Sequence, residues 1–198
     1  MRTLLILGFF ILCSCQKTKK VVQYYDEEKK KKQYEYYVLK EDTNSLHGKY
    51  IVFFENGTIQ EKAKFKNNQI VGMRILYHPN GRIKIKESHK EGVFEGKYIS
   101  YFESGNTKEE GIYINNEMSG IWKFYYDQNP PQVKEEVTFE NNMENGPFKE
   151  YHKNGKLAAE GSYLQELEHG ETKVYDEKGR LVKKIIYNNG RPIEYNEY

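Results

Sequence analysis

Five histidines and 29 acidic residues are the side chains of this 198-residue chain best able to do chemistry. Their spacing argues against it. His47 and His169 each precede a glycine, His78 and His152 each stand six residues after one, and His89 falls where Phe65 and Tyr113 stand in related segments. Every histidine thus fills a slot that other residue types fill elsewhere. His78 and His152 lie three repeat copies apart, roughly 29 Å at ~4.8 Å per strand. Zinc–nitrogen bonds of about 2 Å cannot span that, so no metal site is expected. Glycoside hydrolysis needs two carboxyl groups about 5–10 Å apart, one of them protonated by burial. Here Asp and Glu fall mainly on a charged strand face or in turns. No glycine-rich phosphate loop leads a strand into a helix, and no serine elbow appears. The chain reads as a non-enzyme without cofactor.

The two cysteines stand together at the N-terminus, in Leu12-Cys13-Ser14-Cys15. They end an apolar run, Leu4 to Leu12, that follows Arg2. Nine residues span roughly 14 Å as a helix, too short to cross a ~30 Å bilayer core. Residues 1–14 are expected to be a signal peptide. Residues 15–33, with Lys29 to Lys32 and Asp26-Glu27-Glu28, read as a charged, solvated spacer that holds a domain roughly 20–25 Å from its start. Net charge is only +2 and the repeats alternate Lys with Glu, so a nucleic-acid partner is not expected.

The positioning elements come from a repeat. Anchor glycines stand at Gly48, Gly72, Gly96, Gly120, Gly146 and Gly170, spaced 24, 24, 24, 26 and 24 residues apart. Five residues after each stands an aromatic: Phe53, Tyr77, Tyr101, Tyr125, Tyr151 and Tyr175. Nine after it, in five copies, stands a second glycine: Gly57, Gly81, Gly105, Gly155 and Gly179. Such a period implies a stacked array. Within one copy, a β-branched and aromatic stretch leads into Asn56-Gly57, read as a type I′ hairpin turn. A second strand follows, with its first, fifth and seventh residues (Ile59, Ala63, Phe65) inward and its fourth charged. Asn67-Asn68 and its equivalents close the unit. The glycines are expected to be structural. Aromatics two and five after the anchor cannot share one face of a flat strand. Either a bulge intervenes or both faces carry aromatics.

The expected fold is all-β, an elongated, twisted antiparallel meander of six hairpin repeats over 48–198, including a C-terminal tail. Residues 34–47 should contribute an N-terminal edge strand that caps the array. The fourth copy carries Asp127 to Gln132 (DQNPPQ), which must leave the sheet at Pro130-Pro131.

The pattern G-x-[YWF]-x-x-Y-[FY]-x-[NS]-G-x-[LI] over residues 48–190 resembles the MORN-repeat variant of bacteria, many of whose members are filed as antitoxin-like. The resemblance implies elongated hairpin arrays that serve as scaffolds, dimerisation surfaces or lipid-proximal modules, with no catalytic residue to carry over. The end of the apolar run resembles the lipobox of bacterial lipoproteins. That implies cleavage after Ser14, acylation of Cys15, a membrane contact through that residue and a place in the cell envelope, on the periplasmic side. The expected function is a scaffold or adaptor for a protein partner. The alternatives are a cell-wall or carbohydrate binder with aromatic platforms, and a hydrolase. Trp122, Tyr125 and Tyr126 form the candidate binding site, with Trp122 as core packing the competing reading.

Overall fold

Turns fix this fold, because twelve of its hairpin connections need a backbone that few residues adopt. The computed structural model describes residues 17–198. The signal peptide expected over residues 1–14 and Cys15 lie outside the described residues. Among those described there is no helix, only one antiparallel sheet in which each strand pairs with its sequence neighbour.

The strands are β1 (Thr18–Tyr24), β2 (Lys32–Leu39), β3 (Leu46–Phe53), β4 (Ile59–Lys66), β5 (Gln69–Ile70) and β6 (Gly72–Tyr77). Next come β7 (Ile83–Lys90), β8 (Val93–Tyr101), β9 (Thr107–Ile114), β10 (Glu117–Tyr126), β11 (Gln132–Glu140) and β12 (Met143–Tyr151). The last are β13 (Leu157–Leu164), β14 (Leu167–Glu168), β15 (Gly170–Tyr175), β16 (Leu181–Asn188) and β17 (Arg191–Glu197). β5 with β6, and β14 with β15, are one strand interrupted before the anchor glycine.

Two kinds of turn alternate. At Asn56-Gly57 only the glycine has positive φ (85°). Gly57 N–H donates to Phe54 O (2.9 Å) and Phe54 N–H to Thr58 O (2.8 Å). This is a type I turn followed by a left-handed glycine, not the type I′ turn expected from the sequence. The type I′ turns stand at the opposite margin, where two successive residues have positive φ: Asn67-Asn68, Asn115-Asn116 and Asn141-Asn142. Gln165 (φ 50°) and Glu166 (φ 67°) occupy the same geometry without asparagine or glycine. Left-handed backbone costs such residues about 1–2 kcal/mol each. Gln165→Asn with Glu166→Gly should therefore raise stability by about 1 kcal/mol, read as a higher urea midpoint at unchanged slope. Gly105 (φ 95°) closes the first kind of turn. Gly105→Val should lower stability by roughly 1–3 kcal/mol, and a melting temperature equal to wild type would overturn this turn geometry.

Each margin is tied along the array by its own side chains. Asn56, Asn80 and Asn154 donate from Nδ2 to Pro79 O, Glu103 O and Glu177 O one repeat on, at 3.4, 3.3 and 2.8 Å. At the other margin Asn68, Asn116 and Asn142 accept from Leu46, Phe94 and Met118 N–H at 2.7–2.8 Å. Asparagine is thus chosen twice over, for its turn and for its amide.

The spacer expected over 15–33 is corrected. Thr18–Tyr24 forms β1, pairing with β2 from Thr18↔Leu39 to Tyr24↔Lys32. Asp26 takes Lys30 and Lys31 N–H on its carboxylate (3.0 and 2.6 Å), and these two bonds hold it below the usual carboxylate range. β1–β2 is therefore a further hairpin, in which Tyr36 pairs with Tyr50 as later second strands pair with theirs. β2 is consequently an internal strand, and the edge strand is β1. At the far end β17 begins one more copy and stops.

Candidate interaction surface

Alternation gives the sheet two different faces. The register of each hairpin slips just before its first turn: Val52 pairs with Glu61, then Phe53 with Ile59. The slip sends Ile59 to the side of Phe53 and brings Glu61 beside Ala63 and Phe65. The first position of the second strand is thus not inward, as the sequence suggested; the third is. Aromatics two and five after the anchor lie on opposite faces, so both faces carry them.

One face is packed. Its centre is Trp122, 2% exposed, surrounded by Tyr98 (5.4 Å between ring centroids), Tyr113 (5.2 Å) and Phe139 (6.2 Å). The ring lies over Gly111, where a Cβ would sit 2.2 Å from it. No other residue fits there. Val137, Phe148 and Ala159 continue the core toward the C-terminus. Trp122 is therefore buried packing and is withdrawn from the candidate binding site. Tyr125 and Tyr126 are half-buried, their hydroxyls donating to Glu110 Oε1 (2.6 Å) and Tyr151 O (2.9 Å).

In the second copy Arg74 stands where others place Tyr50, Tyr98 or Phe148. Two carboxylates compensate: Glu61 bonds Nε at 2.8 Å and Nη2 at 3.2 Å, and Glu87 bonds Nη1 at 2.8 Å. His89 Nε2 stands 3.1 Å from the same Glu87 oxygen. Three of the other histidines serve the backbone or a turn. His78 and His152 donate from Nε2 to Tyr101 O and Tyr175 O (3.0 and 2.9 Å), and His47 meets Asn67 (3.1 Å). Among the described residues no three His, Cys, Asp or Glu side chains converge as a metal site would need.

Glu135 and Glu150 are paired directly across strands on this face. Burial first, then Glu150, pushes the Glu135 carboxyl above its ordinary range, while adjacent Lys134 draws it down. An acid whose folded pKa is raised penalises the fold at pH above that pKa and is relieved on protonation. Glu135→Gln should thus stabilise at pH 7 by roughly 0.2–1 kcal/mol. The difference from wild type should close as pH falls through the raised value, as followed by thermal melts from pH 7 to 4.

The opposite face is charged, and its aromatic rings are occupied. Lys32, Lys62 and Lys86 lie over Phe53, Tyr77 and Tyr101 at 5.9, 5.4 and 5.7 Å. Further along, the partner becomes a carboxylate: Tyr151 OH reaches Glu136 at 3.4 Å and Tyr175 OH reaches Glu160 at 2.8 Å. This ladder leaves no free ring as a sugar platform in those pairs. Ile112 (50% exposed) and Ile121 (59%) instead form an apolar patch, continued by Ile114 (48%). Between them lies a shallow cavity of about 260 Å³ lined by Lys97, Glu110, Gly111, Ile112, Ile121 and Lys123. Sequence reasoning passed over these isoleucines in favour of Trp122. The signal was present, since other copies place Lys49 or Lys97 where Ile121 stands.

Four segments of the chain match the MORN repeat variant. They cover residues 46–67, 94–115, 144–165 and 168–189. Each MORN segment starts two residues before an anchor glycine and ends inside a two-residue turn at the second margin. The copies anchored at Gly72 and Gly120 are not matched, yet they form the same hairpin. One carries Arg74 in the aromatic slot, the other the two-residue insertion. No curated protein matches the chain.

Proposed function

We propose that this MORN-type array is a non-catalytic scaffold of a bacterial cell envelope, tethered through an acylated Cys15 and binding a protein partner on its charged face. The observation that carries the partner site is the exposed isoleucine patch, Ile112, Ile114 and Ile121, on a rigid sheet. Apolar side chains gathered on an otherwise charged surface mark contact sites. Only Gln16 and Lys17 separate Cys15 from β1, so the tether spans at most roughly 10 Å, less than half the length of the spacer read from sequence. The array then begins at the membrane surface.

Two measurements test this. Cys15→Ser should abolish labelling by a radioactive fatty acid, and unchanged labelling removes the anchor. A photo-crosslinker at residue 121 should give a discrete adduct in cells of the source organism, lost with Ile112→Glu. The same probe at Lys149 should give none. No adduct at residue 121, or equal adducts at both positions, removes the partner site.

A further inference from the structure

Two clusters of like charge without ion-pair partners stand in this sheet, one on each face and in opposite halves. On the charged face, β3, β4 and β7 carry Lys49, Lys62, Lys64, Lys66, Lys86 and Lys90. None has a carboxylate within 4.0 Å among the described residues. Lys49 and Lys64 are directly opposed across strands. Farther along the same face lysines and carboxylates are mixed: Lys123 meets Glu136 at 2.8 Å, Lys173 meets Glu171 at 3.2 Å and Lys184 meets it at 3.5 Å, while Lys149 is paired in register with Glu136 and Glu160.

The packed face has the reverse pattern. Around β11–β14 it carries Glu135, Glu144, Glu150 and Glu168, none with a cation within 4.0 Å among the described residues. Glu135 and Glu150 are again directly opposed. Burial first, then Glu144 and Glu168, with Glu135 and Glu150 adding less, pushes the Tyr163 hydroxyl up to about 12. Like charges placed opposite each other destabilise a sheet. Lys173 and Lys184 are opposed as well, but Glu171 bridges them at 3.2 and 3.5 Å. The opposed pairs left without a counter-ion are Lys49 with Lys64 and Glu135 with Glu150, on opposite faces and in opposite halves.

We propose that the lysine field of one molecule docks on the glutamate field of a second copy. Two copies of one twisted sheet share their twist and can stack face to face at about 10 Å. A flat anionic surface lacks that complementarity. A molecule stacked by its lysine face leaves its own glutamate face pointing away. The contact is therefore heterologous, and each added copy offers the same sites to the next. The inference stands apart from the isoleucine patch and from the lipid anchor.

Sedimentation velocity of the purified protein tests it. In 20 mM salt the protein should show concentration-dependent species larger than a monomer, and in 1 M salt, where the screening length is about 3 Å, only monomer. Lys49→Glu/Lys64→Glu and Glu135→Lys/Glu150→Lys should each weaken self-association at least tenfold, and mixing the two should restore it. Circular dichroism melts check that each double variant folds. If one does not, Lys49→Gln/Lys64→Gln, which only removes a like-charge pair, should still weaken association. Monomer at every concentration in low salt overturns the proposal. So does a lysine variant that self-associates normally yet loses binding to phosphatidylglycerol vesicles, which would give the field to lipid.

Discussion

Trp122→Ala should cost about 3–5 kcal/mol, as removal of a large buried aromatic does, and lower the urea midpoint accordingly. The ring is 2% exposed, and its neighbours Tyr98, Tyr113 and Phe139 belong to β8, β9 and β11, so the cavity would open on several strands at once. Among the described residues no second layer stands behind it to collapse inward. A partner-binding role for Trp122 makes the opposite forecast, normal melting with lost binding. A second substitution separates packing from a general weakness of the region. Gly111→Ala places a methyl 2.2 Å from the indole, a contact that must displace ring or backbone. Alone it should be strongly destabilising, but in the Trp122→Ala background the added methyl has room. The two changes should therefore be non-additive by at least 1 kcal/mol in a double-mutant cycle. Additive losses would show that Gly111 and Trp122 do not share one site.

The parts of the array visible in its sequence are those with positional chemistry. Gly48 and Gly146 need φ values of 117° and 115°, and the paired asparagines need left-handed backbone, so both recur at fixed spacing and give the period directly. The first hairpin escaped for the same reason. Lys19 occupies its anchor slot and its turn is made by Asp26 and Lys29, so neither marker is present, although Val21, Val22 and Tyr24 supply strand character. What alternation alone could not give was the slip at Phe53. One unpaired residue, Gln60, moves Ile59 to one face and Glu61 to the other. That step decides whether Arg74 has a partner. Trp122 was open to two readings for a different reason: its burial, which bears out packing, depends on the absence of a side chain at Gly111, eleven residues back, and a missing group leaves no pattern on its own strand.

Arg74→Met should be the costliest change among the charged residues, about 3 kcal/mol. Removing one member of a buried ionic network strands the others, typically at 3–5 kcal/mol. The lower end applies because the Arg74 side chain keeps 27% exposure while Glu61 keeps 15% and Glu87 only 5%. Methionine fills the volume but leaves both carboxylates on the packed face without their cation. The loss should fall mainly on the second copy and its neighbours, so that amides of β4 and β7 exchange hydrogen faster than those of β15 and β16. The neighbouring copy suggests the repair. It places Tyr50, Ala63 and Phe65 where the second copy has Arg74, Glu87 and His89. Arg74→Tyr with Glu87→Ala and His89→Phe converts one set into the other, and Glu61→Gln, added to it, removes the remaining carboxylate that Arg74 neutralised. Replacing a whole buried ion pair by uncharged packed groups is often neutral or stabilising, so the quadruple variant should recover most of what Arg74→Met loses. If it instead melts below Arg74→Met, the network specifies the local strand pairing, and the aromatic column is not interchangeable between copies.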